Sequence, residues 1–432
     1  QMRDTRDLGW PLLCGRGEAG GSLLLRYTPA VTYFDGSPGE WYAIKQILTV
    51  QELDWRRKKR FVEKHSTWDG QHRYYRRKPK SFLSGLLPVV TARLDEEDIA
   101  YEVEDLPAVR AEVRHVPDVI GPMALREYQI LAIRKALRAG RGVLRMPPRS
   151  GKTVVHIAMV DLLDEPSLLL VQSLHLLEQH YRLFMSCGVT DVGRIGEGLR
   201  ETRKKHLIAT VQTLSRAVLA AAPWALRVVE SRVVVVADEC HRASANSYLT
   251  IFESMTDAPY RFGLSGTPFR AYGRDVDPRD FWLVAATGPL IFDIPSSYLR
   301  EVGYLAQPTL YMVPVNKKIF AGEDCPFSVV YKRGVTEHRE RNAKIASIAD
   351  WLQEQGRRVL ILVSKIRHGR LLLQTLATKY GIECAFTWGG KRLCYIVGGQ
   401  LRYGRYDERW IDRFRDGEVP VLVASTVMDE GV

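Results

Sequence analysis

At 432 residues and 49.1 kDa the chain is long enough for two or three domains, and its 46% apolar and 26% charged residues are ordinary for a globular protein. Its apolar runs are far shorter than the ~20 residues of a membrane-spanning helix, and no basic and apolar leader opens it, so neither a membrane protein nor a secreted one is expected. The formal charge of +12 predicts instead that the partner is a polyanion.

Residues 1–122 are predicted to form a small basic α+β domain with a linker to the rest of the chain. Its predicted elements are a strand at 22–30, a helix at 55–65 and an amphipathic helix at 81–99. Residues 51–80 hold eleven lysines and arginines against four acids, more than half of the net charge of the whole chain. Such a patch is either a solvated face or a contact for a polyanion. Aromatic residues in and beside the patch favour nucleic acid, because rings stack on bases beside cations that pair with phosphates. The aromatic residues are Trp55, Trp68, Tyr74 and Tyr75, and the cations assigned to nucleic acid are Arg56, Arg57, Lys58, Lys59, Arg60, Arg76, Arg77 and Lys78.

From Met123 onward, predicted strands alternate with predicted helices, which is typical of a parallel α/β sheet. The strands are continuous apolar runs, as a sheet buried on both faces requires. One α/β domain is predicted over 123–303 and a second over 304–432. The predicted helices are 126–140, 152–163, 337–355 and 369–380, and the predicted strands are 142–146, 167–173, 206–211, 232–238, 260–266, 358–364 and 419–426. The segment 391–397, between two glycine pairs, is predicted to be a loop or an insertion.

The tripeptide Gly151-Lys152-Thr153 lies between a predicted strand and a predicted helix, which is the setting of a phosphate-binding loop. Backbone N–H groups at such a helix N-terminus favour phosphate. Lys152 would then reach the β- and γ-phosphates of ATP, and Thr153 would bind Mg²⁺. The loop departs from the usual pattern, because Met146 and Arg149 stand where small residues are expected. Arg149 would either approach a phosphate or hinder the loop, and an ordinary strand–helix turn is the alternative for the whole segment.

A second candidate group ends the apolar strand "VVVVAD", where Asp238 is followed by Glu239, 86 residues after Lys152. A P-loop ATPase needs one carboxylate at such a strand end to hold Mg²⁺. The neighbouring Glu239 could then orient or deprotonate the attacking water. An acidic pair that only caps a strand in solvent is the alternative.

The four residues Asp238-Glu239-Cys240-His241 resemble the D-E-x-H box of superfamily 2 helicases and translocases, and other motifs of that family follow in order over residues 125–432. The resemblance implies two tandem RecA-like parallel-sheet motor domains, with ATP and Mg²⁺ in the cleft between them. "LREYQ" (125–129) resembles the element that reads adenine, and "GLSGTPFR" (263–270) the motif that couples hydrolysis to movement. The implied ATP contacts are Arg126, Gln129, Ser150, Gly151, Lys152, Thr153, Asp429 and Gly431; Asp238 would hold Mg²⁺ with Thr153, and Lys152, Asp238, Glu239 and His241 would be catalytic. The implied coupling residues are Ser265 and Thr267, and the implied nucleic-acid contacts in motifs Ia, Ic, IV and V are Ser173, Thr210, Gln212, Ser364 and Thr426.

Within the superfamily the sequence looks most like phage UvsW-type and XPB-like repair and recombination helicases, in which a small basic DNA-binding domain precedes the motor. That resemblance implies a nucleic-acid-stimulated ATPase acting on duplex, forked or branched DNA in repair, recombination or replication. An RNA helicase, the motor subunit of a restriction enzyme, and a nucleic-acid-binding module with a vestigial nucleotide site remain as alternatives. Motif VI, with its arginine finger, is expected beyond Val432, so the printed chain is expected to bind ATP without efficient turnover.

The six cysteines lack C-x-x-C spacing and the histidines lack metal-ligand spacing, so neither a zinc site nor a disulfide framework is predicted. This usage fits a reducing compartment. The expected location is the cytoplasm of a bacterial or phage-infected cell, or the nucleus if the source is eukaryotic. Nothing in the sequence predicts the oligomeric state.

Overall fold

The computed structural model describes residues 23–52, 69–104, 115–242, 246–269, 277–315, 325–388, 392–397, 400–405 and 409–425. The chain divides into two compact units, Gln1–Gln307 and Pro308–Val432, and each is described by itself. The three predicted domains, 1–122, 123–303 and 304–432, stay a prediction. Within these ranges no helix is both long and apolar enough to cross a membrane.

The first unit begins with a five-stranded sheet in the order β5-β6-β2-β1-β7, in which only the pairing of β1 with β7 is parallel. A hairpin of β3 and β4 and two helices accompany this sheet. The strands are β1 (Leu23–Tyr27), β2 (Val31–Asp35), β3 (Thr49–Gln51), β4 (Gln71–Arg73), β5 (Tyr75–Arg77), β6 (Lys80–Leu83) and β7 (Tyr101–Glu104), and the helices are α1 (Pro38–Ile47) and α2 (Leu87–Glu96).

One predicted helix in this region is only partly correct. Residues 81–83 of the predicted helix 81–99 belong to strand β6, a turn of 3-10 helix follows, and α2 begins only at Leu87. Pro88 favours this start, because proline fits the first turn of a helix, where its missing N–H is not needed. The predicted helix at 55–65 lies outside the described residues.

The first unit continues with an eight-stranded sheet in the order β13-β12-β14-β11-β15-β16-β10-β17, so the predicted parallel α/β sheet is confirmed. Every neighbouring pair is parallel except β12 with β13. A separate pair consists of β8 (Val119–Ile120) and β9 (Met123–Ala124). The strands of the eight-stranded sheet are β10 (Arg141–Arg145), β11 (Ser167–Val171), β12 (Val192–Gly196), β13 (Leu199–Arg200), β14 (His206–Thr210), β15 (Val234–Asp238), β16 (Tyr260–Ser265) and β17 (Leu290–Asp293). The helices are α3 (Glu127–Ala139), α4 (Lys152–Leu163), α5 (Leu174–Ser186), α6 (Val211–Leu219), α7 (Pro223–Glu230), α8 (Asn246–Ser254), α9 (Pro278–Thr287) and α10 (Ser296–Glu301).

The two sheets of the first unit share one hydrophobic core. Tyr74 joins them: its hydroxyl donates to the carbonyl of Pro278, and its ring lies 4.6 Å from those of Phe281 and Trp282 on α9. A Cβ on Gly85 would lie 2.0 Å from the carbonyl oxygen of Val284, so only glycine allows this close approach. The N-terminal sheet is therefore packed against α9.

This packing corrects the prediction that Tyr74 stacks on nucleic acid, because the side chain is 3% exposed and buried against α9. Tyr75 is half-buried, with its ring edge-on to Trp41 at 5.3 Å. Trp55 and Trp68 lie outside the described residues. A mixed basic and aromatic stretch does not reveal which of its rings face the interior.

The second unit contains a five-stranded sheet in the order β18-β22-β19-β20-β21. The first three strands are parallel and the last two are added antiparallel. The strands are β18 (Val359–Val363), β19 (Cys384–Trp388), β20 (Arg392–Val397), β21 (Gln400–Arg405) and β22 (Val421–Ser425), and the helices are α11 (Phe327–Tyr331), α12 (Arg339–Glu354), α13 (Ile366–Tyr380) and α14 (Arg409–Asp416).

The predicted loop at 391–397 is wrong, because residues 392–397 form strand β20 between β19 and β21. Leu393 and Cys394 are buried there, so the segment contributes to the core of the second unit. A run of apolar and aromatic residues between two glycine pairs is a hairpin pattern.

Candidate nucleotide-binding site

The predicted ATP residues come together at the carboxyl ends of three neighbouring strands. β10 leads into the loop before Lys152, β15 ends at Asp238, and β16, which lies between them, ends at Ser265. In parallel sheets this edge is where ligands bind. Segments separated by more than a hundred residues in the sequence therefore supply one site.

The phosphate loop is held by its own backbone and by its neighbours. Gly151, at the start of α4, has φ of +79°, and a Cβ there would lie 2.3 Å from Nε2 of Gln129. Ser150 is fully buried, and its hydroxyl donates to the carbonyl of Pro147 at 2.6 Å. The N–H of Met146 donates to the carbonyl of Ser265 at 2.9 Å, while its side chain is buried in the core. The unusual methionine therefore packs inside the domain.

Arg149, the other unusual residue of the loop, has φ of +63° and an exposed side chain. Residues with a Cβ are disfavoured in this left-handed region, whereas glycine adopts it readily. The expectation of a small residue at this position therefore has a backbone reason.

Lys152 and Glu239 form an ion pair, with Nζ and Oε1 2.8 Å apart and side chains 13% and 25% exposed. Burial by itself raises the pKa of Glu239, but the hydrogen bond with His241 and the Lys152 ammonium outweigh burial and lower the pKa to about 2. Glu239 is therefore ionised at every physiological pH.

The second carboxylate oxygen of Glu239 is held by two other predicted residues. The hydroxyl of Ser265 donates to Oε2 at 3.3 Å, and Nδ1 of His241 lies 3.4 Å from the same atom and 3.1 Å from the Ser265 hydroxyl. The N–H of Thr267 donates to that hydroxyl at 3.1 Å. Of the two predicted coupling residues, Ser265 is thus in direct contact with the predicted catalytic glutamate, and Thr267 contacts it through Ser265.

Asp238 is 8% exposed, and both oxygens of its carboxylate are held by neighbouring groups. Oδ1 accepts from the N–H of Glu239, and Oδ2 lies 3.0 Å from Nε2 of His180, a buried residue of α5. His180 lies outside the residues predicted from the sequence, in which the histidines lack metal-ligand spacing. Cys240 is fully buried, and burial raises the pKa of its thiol well above the ordinary value.

On the predicted adenine side, Gln129 is 4% exposed and bonded to two backbone groups. Its Oε1 accepts from the N–H of Arg126 and its Nε2 donates to the carbonyl of Ser150, both at 2.9 Å. The hydroxyl of Tyr128 donates to the same carbonyl at 2.7 Å. The Arg126 guanidinium lies over the ring of Tyr304, 4.2 Å from its centre. Tyr128 and Tyr304 are additions to the predicted set, and the adenine contact of Gln129 stays a prediction.

The predicted nucleic-acid residues are more scattered. Ser173 caps α5, its hydroxyl accepting from the N–H of Leu176 at 3.3 Å. Thr210 is buried at the end of β14 and Gln212 is exposed in the first turn of α6. Ser364 is exposed after β18 in the second unit. Thr426, Asp429, Gly431, Arg56, Arg57, Lys58, Lys59 and Arg60 lie outside the described residues.

The described cations of the basic patch differ from one another. Arg76 pairs with Glu253 of α8, with Nη2 and Oε2 3.0 Å apart, so part of its charge is used within the first unit. Arg77 and Lys78 are exposed beside it.

The residues present fit ATP with Mg²⁺. The N-terminus of α4 offers backbone N–H groups for phosphate, Lys152 supplies a cation, and Thr153 and Asp238 supply oxygen ligands. No group of three or more His, Cys, Asp or Glu side chains that could hold a metal ion occurs within the described ranges. Mg²⁺ needs no such group, because it is commonly bound through one or two carboxylates together with substrate phosphates and water.

This parallel sheet, with its phosphate loop and the Asp238–Glu239 pair at one edge, is similar to that of superfamily 2 helicases. A family model described as "Type III restriction enzyme, res subunit" matches residues 122–270. The chain is homologous to the XPB and UvsW helicases. It is 23% identical over 347 residues to the "DNA 3'-5' translocase XPB2" of Sulfurisphaera tokodaii, covering 73% of this chain and 74% of that protein.

Two further comparisons agree. The "ATP-dependent DNA helicase uvsW" of Enterobacteria phage T4 is 21% identical over 273 residues, which cover 59% of this chain and 51% of that protein. The chain thus spans about half the length of the phage relative. A crystal structure of T4 UvsW has a TM-score of 0.52 at 15% identity, covering 95% of this chain and 81% of that chain, so the fold is shared.

Proposed function

We propose that the chain is the motor of an ATP-dependent DNA helicase or translocase that acts on duplex, forked or branched DNA in repair, recombination or replication. The observation that carries the proposal is the contact of Lys152 with Glu239, beside Asp238 and Ser265. A phosphate-binding lysine, a metal-binding carboxylate and a water-orienting carboxylate are the parts that ATP hydrolysis requires.

The residues of the site divide the work of hydrolysis. The loop N–H groups and Lys152 bind the phosphates, and Thr153 and Asp238 hold Mg²⁺. Held by Thr153 and Asp238, Mg²⁺ would neutralise the charge that develops on the phosphates. Lys152 must leave Oε1 of Glu239 to reach a phosphate, and this exposes Oε1 to the attacking water.

When Lys152 leaves, the pKa of Glu239 changes but the orientation of its carboxylate does not. Its pKa rises, because the Lys152 ammonium that lowers it is gone, so the carboxylate becomes a stronger base. Its orientation is kept, because Ser265 and His241 still hold Oε2. In this proposal Ser265, which contacts Glu239, and Thr267, which donates to Ser265, transmit the state of Glu239 to the rest of the motor.

DNA as the partner is supported by the basic patch and by the relatives named as DNA translocases and helicases. The exposed Arg77 and Lys78 would contact phosphates, which makes binding dependent on salt. An RNA helicase remains the alternative within the superfamily, and ATPase stimulation by RNA against duplex DNA separates the two. The intracellular location stays a prediction.

The proposal is tested by DNA-stimulated ATPase of the full-length protein. Lys152→Ala and Glu239→Gln are expected to abolish turnover and to leave DNA affinity unchanged. Matched controls are Lys205→Ala and Glu178→Gln, which remove a lysine and a glutamate paired elsewhere in the first unit, with Asp164 and Arg194. Unchanged turnover in both site variants contradicts the proposal, and a wild-type protein that binds no ATP supports the vestigial module instead.

A further inference from the structure

We infer that His180, a buried histidine of helix α5, is the positioning residue that holds the Asp238 carboxylate in the orientation required for Mg²⁺. The inference rests on the proposed function, because it assigns one more residue to that site. His180 precedes Asp238 by 58 residues in the sequence and lies on a neighbouring helix, outside the predicted catalytic set.

The hydrogen bond has a defined direction. The carboxylate of Asp238 only accepts, so Nε2 of His180 must carry the hydrogen that bridges the 3.0 Å to Oδ2. The N–H of Glu239 donates to Oδ1 at 3.0 Å. With one donor on each oxygen the carboxylate cannot rotate freely, and each oxygen keeps a lone pair for a metal ion or its bound water.

His180 is itself fixed by packing. It is 5% exposed on α5, a helix whose buried residues Leu176, Leu177 and Phe184 belong to the core of the first unit. A tyrosine links the start of this helix to Asp238 from another side: the hydroxyl of Tyr248 lies 3.4 Å from the Asp238 carbonyl and accepts from the amide of Gln172. The segment around α5 therefore contacts the side chain of Asp238 directly through His180, and its backbone only through Tyr248 of α8.

The charge balance around Asp238 points to a cation. Buried carboxylates are normally paired with a cation or bound to a metal. In the described part of the chain the side chain of Asp238 contacts an amide and an imidazole, whereas the nearby ammonium of Lys152 is paired with Glu239. A carboxylate that is oriented, buried and without a lysine or arginine is suited to a divalent ion. Residues that orient a metal ligand in this way usually change metal affinity when they are replaced.

The test measures binding of a fluorescent ATP analogue over a Mg²⁺ titration, with a chelator baseline. His180→Leu removes the donor at similar volume, and we expect it to weaken the apparent Mg²⁺ affinity about 10- to 100-fold while leaving metal-free nucleotide binding unchanged. His180→Gln retains an N–H donor and should restore most of that affinity. His206→Leu is the matched control, because His206 is a buried histidine of the same unit that contacts Ser167 instead. Melting temperatures show whether each variant folds, and His180→Asn, which is too short to reach Asp238, replaces the leucine variant if that variant does not fold.

The outcomes separate the inference from the proposed function. Wild-type Mg²⁺ dependence in His180→Leu overturns the inference and leaves the function standing. An equal loss of nucleotide binding with and without Mg²⁺, or the same loss in His206→Leu, also overturns it, because the role is then structural. A wild-type protein without Mg²⁺-dependent nucleotide binding overturns the proposed function and, with it, the role of His180.

Discussion

Glu239→Gln should increase the affinity for ATP although it abolishes turnover. The Lys152 ammonium lies 2.8 Å from Oε1 of Glu239, and we expect this contact to break when Lys152 moves to a phosphate. Glutamine keeps the shape of the side chain but loses the charge that competes with phosphate for the lysine. Wild type must break the ion pair to bind ATP, whereas the variant has no ion pair to break. The variant is therefore expected to bind ATP more tightly.

The size of the effect follows from the pKa of Glu239. It falls from 4.5 to about 2, and a change of ~2.5 pH units corresponds to about 3 kcal/mol at 1.36 kcal/mol per unit. His241 and Lys152 share this stabilisation, against the opposing effect of burial. A share of about 1–2 kcal/mol for Lys152 corresponds to an affinity gain of roughly 5- to 30-fold.

The assay is the dissociation constant of a non-hydrolysable ATP analogue with Mg²⁺, measured for wild type, Glu239→Gln and the matched control Glu178→Gln. Because the pKa of Glu239 is lowered, the ion pair is fully present above the ordinary glutamate pKa and is lost as the pH falls toward about 2. The difference between wild type and variant should therefore be constant across the neutral range. Equal affinities of wild type and Glu239→Gln, or the same gain in Glu178→Gln, would refute the reasoning.

Three further predictions concern other parts of the first unit. Arg149→Gly should be more stable to urea than Arg149→Ala by about 1 kcal/mol, because glycine accepts the φ of +63°; equal stability would show that the loop relaxes. Tyr74→Phe should lower the free energy of unfolding by about 1 kcal/mol, because the Pro278 carbonyl loses its donor, with nucleotide affinity unchanged. Replacing Arg77 and Lys78 by alanine should weaken duplex binding. It should also reduce the slope of the logarithm of the binding constant against the logarithm of the salt concentration by about 2, and an unchanged slope would show that the two side chains are only solvated.

The part of the fold nearest the motifs could be predicted from the sequence because its signals are local. β15 is a continuous apolar run that ends at Asp238, with Glu239 directly after it, and α4 begins at the residue after Gly151, as predicted. A strand buried on both faces needs no partner to be recognised. The order of the eight strands and the short strands β12 and β13 carry no such signal, because pairing depends on contacts between distant segments.

The same reason explains which site residues were missed. His180 reaches Asp238 across 58 residues, and Tyr128 donates to the Ser150 carbonyl of the phosphate loop 22 residues away. Neither contact leaves a period or a spacing that a sequence pattern could detect. Tyr74 shows the opposite error, because an aromatic residue in a basic stretch was assigned to the surface although its ring packs on α9.

Positions 146, 149 and 151 of the phosphate loop have different structural requirements, although small residues are expected at all three. At residue 146 the chain needs only a backbone N–H for the Ser265 carbonyl, so a buried methionine is tolerated. At residue 149 it needs a positive φ, which Arg149 accepts at a cost of about 1–2 kcal/mol. At residue 151 it needs both a positive φ and the space that Gln129 occupies, since a Cβ would lie 2.3 Å from its amide. Glycine is retained only where a side chain is excluded on both grounds, and that position is the one that directly precedes Lys152.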